Sequence, residues 1–160
     1  MDRLWTPWRY RYISHADPSD GCIFCIKAAQ DKDKENYILY RGKSNFILLN
    51  LFPYTNGHLM IAPYLHVATL GDAPAEVLAE IMALTQRAEV NLREVYHPHG
   101  LNLGMNIGES AGAGVAGHIH MHVLPRWTGD ANFMSTIGET RVLPEELPVT
   151  YEKLARLKWD

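Results

Sequence analysis

The sequence predicts an α+β fold in which a mostly antiparallel sheet of about five strands packs with one long helix. Three observations lead to this prediction. Short apolar runs separated by turn residues occupy residues 37–62, an apolar stripe with spacings of three and four occupies residues 72–96, and alternating apolar and polar residues return after position 100. Together these patterns indicate strands, then a helix, then further strands in a single domain.

The composition agrees with one globular domain. Of the 160 residues 47% are hydrophobic, which is enough for a proper core. The formal net charge of −3 gives no general reason to expect a nucleic-acid partner. No apolar run approaches the roughly 18 residues that cross a bilayer, and the first residues do not resemble a signal peptide. We therefore expect a soluble cytoplasmic protein with no membrane partner.

Residues 1–35 are expected to form an arm in front of the main domain. Four large aromatic side chains fall within eight residues of this arm, namely Trp5, Trp8, Tyr10 and Tyr12. Such side chains usually bury substantial area, so we expect the arm to pack onto the domain or onto a partner subunit. The arm also carries a Cys-Ile-Phe-Cys segment, followed by a charged stretch that is typical of a short helix and a loop.

Turn residues divide the main domain, residues 36–135, into strands and one long helix. The predicted strands are residues 37–40, 45–51, 58–62, 101–107 and 118–124. The long helix spans residues 72–96, with Asp72 and Pro74 as favourable starting residues. A C-terminal extension, residues 136–160, is predicted to contain a shorter helix from about residue 144 to 159 that Pro148 interrupts.

The strand at residues 118–124 carries three histidines at every second position. Because alternate side chains of a strand share a face, His118, His120 and His122 should stand in a row. Two mechanisms compete for such a row: three metal ligands, or one nucleophile that attacks phosphorus. The preceding loop, residues 108–117, is built almost entirely from small residues whose backbone N–H groups can bind an anion. This loop favours phosphate chemistry, with the middle histidine as the nucleophile.

The segment HIHMHVL at residues 118–124 matches the His-φ-His-φ-His-φ-φ signature of the histidine triad (HIT) superfamily of nucleotide hydrolases and transferases. The segment NGHLMIAP at residues 56–63 resembles the earlier conserved strand of the same superfamily. A closer resemblance is to its diadenosine tetraphosphate phosphorylase branch of the mycobacterial type. The segments that carry it are RLWTP at 3–7, NLFPY at 50–54, PHG at 98–100 and PRWTGDANF at 125–133.

The resemblance implies a HIT-like fold and a role for each site residue. His120 would be the nucleophile, oriented by His118, and His122 would attend the phosphate. The residues implied to lie around the substrate are Asn50, His58, Asn106, Gly112, Ala113, Gly114, His122 and Trp127. One departure stands out, because some relatives carry Ser or Gln where this chain has Gly114, so backbone N–H groups must replace a side-chain donor there.

Cys22 and Cys25 are the only cysteines, and their C-x-x-C spacing permits either a redox dithiol or a metal site. A closed zinc site needs two further ligands. The resemblance implies that these are His66 and His118, in the manner of HIT relatives that bind zinc. Two thiols without a metal are the other reading. No organic cofactor is expected.

The expected activity is that of a nucleotidyl transferase that cleaves dinucleoside polyphosphates at the α-phosphate through a nucleotidyl-histidine intermediate. The resemblance favours phosphorolysis of diadenosine tetraphosphate to ATP and ADP, with inorganic phosphate as the second substrate. One alternative is a hydrolase of dinucleoside polyphosphates or nucleoside phosphoramidates that releases AMP. A second alternative is a zinc-stabilised nucleotide-binding interaction protein with little turnover. The resemblance also implies a homodimer or a higher homo-oligomer.

Overall fold

The structure is a computed structural model that describes residues 21–137 and 143–160, so the predicted aromatic arm at residues 1–20 lies outside the described residues. Five strands form one antiparallel sheet. In their spatial order they are β1 (Ile38–Arg41), β2 (Asn45–Leu49), β3 (Leu59–Pro63), β5 (Met121–Arg126) and β4 (Gly100–Gly104). The predicted α+β class and the antiparallel sheet of five strands are confirmed.

The helices are α1 (Ile23–Ala29), α2 (Asp33–Asn36), α3 (Ala75–Tyr96), α4 (Phe133–Thr136) and α5 (Leu147–Leu154), with short 3₁₀ turns at Leu70–Asp72 and Glu109–Ala111. Within residues 21–137 and 143–160, no helix combines the length and apolar composition needed to span a bilayer. Among the described residues α3, with 22 residues, is the longest helix, as the sequence predicted.

The long helix α3 packs one apolar stripe against the sheet. Its buried hydrophobic residues recur at spacings of three and four and are Val77, Ile81, Leu84, Ala88 and Leu92. The helix begins three residues later than predicted because residues 70–72 form a separate 3₁₀ turn. It ends where His97 adopts a left-handed conformation with φ of 45° and Pro98 follows.

The sheet buries a core on each face. On one face, α3 and the C-terminal segment cover side chains of the three central strands, among them Ile47, Ile61 and Val123. On the other face, Phe24 of α1 packs against Phe46, Leu48 and Met60. The C-x-x-C segment thus packs onto the domain through Phe24. Because neighbouring residues of a strand point to opposite faces, His122 shares the α1 side of the sheet, whereas Val123 faces α3.

Most element boundaries differ from the predictions by a few residues, and three differences change how an element is interpreted. The strand β5 begins at Met121, so His118 lies in a bend and His120 is the residue just before the strand. The strand β4 ends at Gly104, and Leu103 on it is 49% exposed, because β4 is an edge strand with one covered side. Pro148 does not interrupt the C-terminal helix; it lies in the first turn of α5, where no intrahelical N–H bond is lost.

Candidate active site and metal centre

His120 is the predicted nucleophile, and the structure buries it between the small-residue loop and β5. Only 4% of the residue is exposed. Its Nδ1–H donates a hydrogen bond of 2.9 Å to the backbone carbonyl of His118. A neutral imidazole carries a hydrogen on only one of its two nitrogens, so this bond leaves Nε2 with a free lone pair.

Burial lowers the pKa of His120, and the hydrogen bond to the His118 carbonyl opposes this effect only in part. The neutral form is therefore favoured around neutral pH. A neutral ring with its hydrogen held on Nδ1 presents Nε2 as an unprotonated nitrogen, which is the form that a nucleophile requires.

His58 and His122 form a second pair of buried imidazoles beside His120. Their Nε2 and Nδ1 atoms, respectively, lie 2.9 Å apart. The backbone N–H of Tyr54 donates to Nδ1 of His58 at 3.2 Å, so the hydrogen of His58 is on Nε2 and is donated to His122. This leaves the hydrogen of His122 on its own Nε2. Since the centroids of the His122 and His120 rings are 4.7 Å apart, a hydrogen-bond donor lies next to the predicted nucleophile.

Asn50 contacts the His58 ring of this pair. Its Nδ2 is 3.3 Å from Nδ1 of His58, and its Oδ1 accepts the backbone N–H of Phe52 at 2.9 Å. The side chain thus connects the loop after β2 with the His58 ring. The resemblance implied that Asn50 and His58 lie around the substrate; in the structure they contact each other, and His58, only 1% exposed, contacts His122.

The small-residue loop contains two glycines that need positive φ, namely Gly108 at 82° and Gly112 at 85°. Two of the three backbone N–H groups predicted to bind phosphate already donate within the loop: Gly112 to Glu109 at 2.8 Å and Ala113 to Gly108 at 3.3 Å. The N–H of Gly114 has no acceptor among the described residues. Asn106 lies at the base of the loop, with Nδ2 3.5 Å from the carbonyl of Gly112.

Trp127, also predicted to lie around the substrate, is at the opposite end of β5 from His122. It follows the end of β5 and packs edge-on against Tyr96, with 6.4 Å between ring centroids. Both side chains line a cavity of about 490 Å³ at this end of the sheet.

A cluster of candidate metal ligands lies at the opposite end of the histidine row. Cys22, Cys25, His66 and His118 each point one ligand atom inward, and these four atoms all lie within 4.8 Å of one another. His118 Nε2–H donates to the Pro63 carbonyl at 2.8 Å, so Nδ1 carries the lone pair that faces the thiols. A hydrogen bond of this kind fixes the tautomer of a metal-ligating histidine.

The donor set and its spacing fit zinc. Zn–S bonds of about 2.3 Å and Zn–N bonds of about 2.05 Å in a tetrahedron place sulfur and nitrogen roughly 3.5 Å apart. The measured separations are 3.3 Å and 3.6 Å from Nδ1 of His118 to the sulfurs of Cys22 and Cys25, and 3.4 Å from Nδ1 of His66 to Cys25. The two thiols also favour a cation between them, because two adjacent thiolates would repel each other.

Three contacts in this region could not be read from the residue pattern. Phe24 packs its ring against both His118 and His120, at centroid distances of 5.2 Å and 4.8 Å. Tyr54 packs against His58 at 4.7 Å. The Pro63 carbonyl orients His118. For Phe24 the only signal in the sequence was its position between the two cysteines. Nothing in the sequence identified the contact of Tyr54 or that of the Pro63 carbonyl.

Comparisons with known proteins agree with this geometry. The HIT domain family matches residues 31–129. A relative from Mycobacterium tuberculosis, named AP-4-A phosphorylase, is 43% identical over an alignment of 162 positions, which covers 97% of this chain and 83% of the relative.

Among solved structures, a zinc-bound histidine triad family protein from Mycobacterium smegmatis superposes with a TM-score of 0.65 at 31% identity, covering 86% of this chain and 96% of that one. A hypothetical histidine triad nucleotide-binding protein from Sulfolobus tokodaii superposes with a TM-score of 0.66 at 25% identity, covering 84% and 89%. The family match spans more than half of the chain and includes all three triad histidines. The chain belongs to the HIT domain family.

Proposed function

We propose that this HIT-family enzyme cleaves dinucleoside polyphosphates at the α-phosphate and that its preferred reaction is phosphorolysis of diadenosine tetraphosphate to ATP and ADP. The observation that carries the proposal is the tautomer of His120. A buried, neutral imidazole with its hydrogen donated to the His118 carbonyl has its Nε2 lone pair ready to attack phosphorus.

In the first step Nε2 of His120 forms a bond to the α-phosphorus, and the bond from that phosphorus to the bridging oxygen of the leaving ATP breaks. The ring of His120 gains positive charge in this step. The His118 carbonyl, 2.9 Å from Nδ1, stabilises that charge. In the second step an oxygen of inorganic phosphate attacks the same phosphorus, ADP forms, and His120 regains its lone pair.

Negative charge on the transferring phosphoryl group needs hydrogen-bond donors already in position. The relay from Tyr54 through His58 supplies one, because it leaves a hydrogen on Nε2 of His122. The backbone N–H of Gly114 supplies a second from the loop. His122, Gly114 and Asn106, whose side chain lies 3.5 Å from the Gly112 carbonyl of the same loop, are therefore the proposed phosphate contacts. Asn50 remains a proposed contact to the nucleoside.

The choice of inorganic phosphate over water as the acceptor is supported by the 43% identity to the relative named AP-4-A phosphorylase. The residues of the triad serve both acceptors equally well, since either must approach the same adenylylated histidine. Zinc is proposed as a structural ion held by the two cysteines with His66 and His118. Bound there, it would crosslink α1 to the segment that carries His120.

A cytoplasmic location is proposed because two thiols that serve as metal ligands require a reducing compartment. A homodimer is proposed because β4 presents its outer edge, on which Leu103 is exposed, away from the other described strands.

The deciding experiment incubates the purified protein with diadenosine tetraphosphate, with and without inorganic phosphate, and separates the products by chromatography. The proposal expects ADP and ATP in equal amounts only when phosphate is present. Radiolabelled phosphate should appear in the β-position of ADP. Formation of AMP and ATP at the same rate without phosphate would replace the phosphorylase with a hydrolase. Tight binding of the dinucleotide without turnover would leave only a nucleotide-binding protein.

A further inference from the structure

A cavity lies beyond the triad at the end of the sheet away from the metal cluster. Its volume of about 490 Å³ is within the range of roughly 300–1,000 Å³ that is usual for small-molecule sites. The described residues around it come from the loop before β3, from the end of α3, from β5 and from the segment that follows β5.

The cavity continues the histidine row. Alternate residues of β5 share a face, so Leu124 and Arg126 follow His122 on the side of the sheet that carries the triad, and both line the cavity. Two residues of a strand span about 6.6 Å, so the cavity begins roughly one such step beyond His122. Tyr54 connects the two regions, because its ring packs 6.1 Å from that of His122 and also borders the cavity.

The lining suits an uncharged aromatic group. Tyr54, Tyr96 and Trp127 contribute three aromatic rings. Among the described lining residues the charged side chains are Arg126 and Asp130, and these form a bidentate ion pair at 2.6 Å and 2.7 Å. The pair compensates its own charge, so the cavity has no excess charge to attract a phosphate. Aromatic walls of this kind bind nucleobases by stacking.

We infer that this cavity is the subsite for the second nucleoside of the substrate, the one that leaves with ATP. The inference rests on the proposed function, since it requires a substrate with a nucleoside at each end. With the scissile α-phosphate at His120 and charge stabilised at His122, the polyphosphate passes Tyr54 and the distal base stacks among Tyr96 and Trp127. The cavity thereby selects dinucleotides over mononucleotides that share the same adenylyl group.

The test compares two substrates that carry the same adenylyl group and differ only in the leaving group. Diadenosine tetraphosphate carries the distal nucleoside, whereas adenosine 5′-phosphoramidate presents the same adenylyl group with ammonia as the leaving group. Two variants alter the cavity in opposite ways: Trp127→Leu removes a stacking ring, and Ala131→Trp fills the space from an exposed lining position. Loss of one base stack predicts a fall of roughly 5- to 150-fold in kcat/KM for the dinucleotide relative to the phosphoramidate.

Ala79→Trp is the matched control, because Ala79 is an exposed position on α3 outside the cavity. It should leave the ratio of the two kcat/KM values at the wild-type level. Equal losses on both substrates in the Trp127 and Ala131 variants, or an unchanged ratio, would overturn the subsite. If the wild-type protein cleaves neither substrate, the proposed function fails instead, so the two failures are distinguishable.

Discussion

The tautomers of the triad follow from three backbone groups. The His118 carbonyl accepts from Nδ1 of His120, the Pro63 carbonyl accepts from Nε2 of His118, and the Tyr54 N–H donates to Nδ1 of His58. Each bond decides which ring nitrogen keeps its lone pair. As a result, three chemically identical side chains present different ring nitrogens, which suit the roles proposed for them: a nucleophile, a metal ligand and a hydrogen-bond donor.

At the scale of single residues, we expect His120→Ala to reduce turnover of diadenosine tetraphosphate by about 10³-fold or more, because no other group can form the covalent intermediate. Binding of the dinucleotide, measured by calorimetry, should persist. His97→Asn is a suitable control, since His97 is exposed at a positive φ of 45° that asparagine tolerates. Residual activity of one tenth or more in the His120 variant would contradict its role as nucleophile.

At the scale of elements, α1 connects the candidate metal cluster to His120, the proposed nucleophile. It carries both cysteines at its N-terminal end and the Phe24 ring that contacts His120. Arg41 of β1 holds the other end, with hydrogen bonds of 2.7 Å to the carbonyls of Ala28 and Gln30. The helix has only seven residues and would be marginal alone, so tertiary contacts must hold it in place.

Zinc is therefore expected to matter for stability. Protein purified under reducing conditions should contain about one zinc per chain by elemental analysis, and Cys22→Ser should remove most of it. The melting temperature should fall by about 5 °C or more, because the ion crosslinks α1 to residues 66 and 118.

A second ligand variant, His66→Asn, should behave as Cys22→Ser does, whereas His99→Asn should retain the metal because His99 lies outside the cluster. Wild-type protein that is free of metal, or that keeps its melting temperature in a strong chelator, would rule out a structural zinc ion.

The C-terminal helix α5 is attached through Glu145, whose carboxylate accepts hydrogen bonds from Tyr96, Thr150 and Lys153. Burial acts to raise the pKa of Glu145, but these three hydrogen bonds outweigh it and hold the pKa below its usual value. A carboxyl group with a depressed pKa stabilises the folded state above its unfolded pKa, near 4.5. The contribution is lost as the pH falls through the lower folded-state value.

We expect Glu145→Gln to lower the free energy of unfolding by about 1–2 kcal/mol at pH 7, since the charge-assisted bonds become neutral ones. The difference from wild type should shrink as the pH falls below about 4.5, as followed by urea denaturation across a pH series. Glu152→Gln, an exposed position on the same helix, should have little effect at any pH. A deficit that stays constant from pH 7 to pH 3 would show that the Glu145 charge does not contribute.

At the scale of the whole molecule, the sheet has two edges. The strand β1 is covered by α2 and by Arg41 contacts, while β4 keeps Leu103 49% exposed. An uncovered edge strand pairs readily with a second copy.

We expect the wild-type protein to have about twice the chain mass of 18.1 kDa by light scattering, and Leu103→Arg to shift it to a monomer. Val149→Arg, at an exposed position on α5, should stay dimeric; a wild-type monomer would contradict the proposed edge pairing.

Local patterns were sufficient for the order and type of the five strands and of the long helix, but not for the short helices at Asp33–Asn36 and Phe133–Thr136. The histidine row was predictable from residues 118–124 because side chains at every second position share a face in an extended chain. The helix α3 was predictable from residues 72–96 because its stripe of apolar residues is long. Boundaries were less predictable. Nothing local shows that pairing with β3 begins only at Met121, or that β4 lies at an edge where alternation does not bury Leu103.

By itself, the sequence determined the fold class, the family and the identity of the three histidines, since these depend on side chains that are close along the chain. Tertiary structure alone decided which ring nitrogen each histidine presents, because the groups that fix it, such as Pro63 and Tyr54, are 55 and more than 60 residues away from His118 and His122. It also placed Phe24 against His120 and positioned the cavity beyond His122. The hydrogen bonds that fix the tautomers depend on the antiparallel pairing of β3 with β5, because it brings backbone groups distant along the chain next to the histidines.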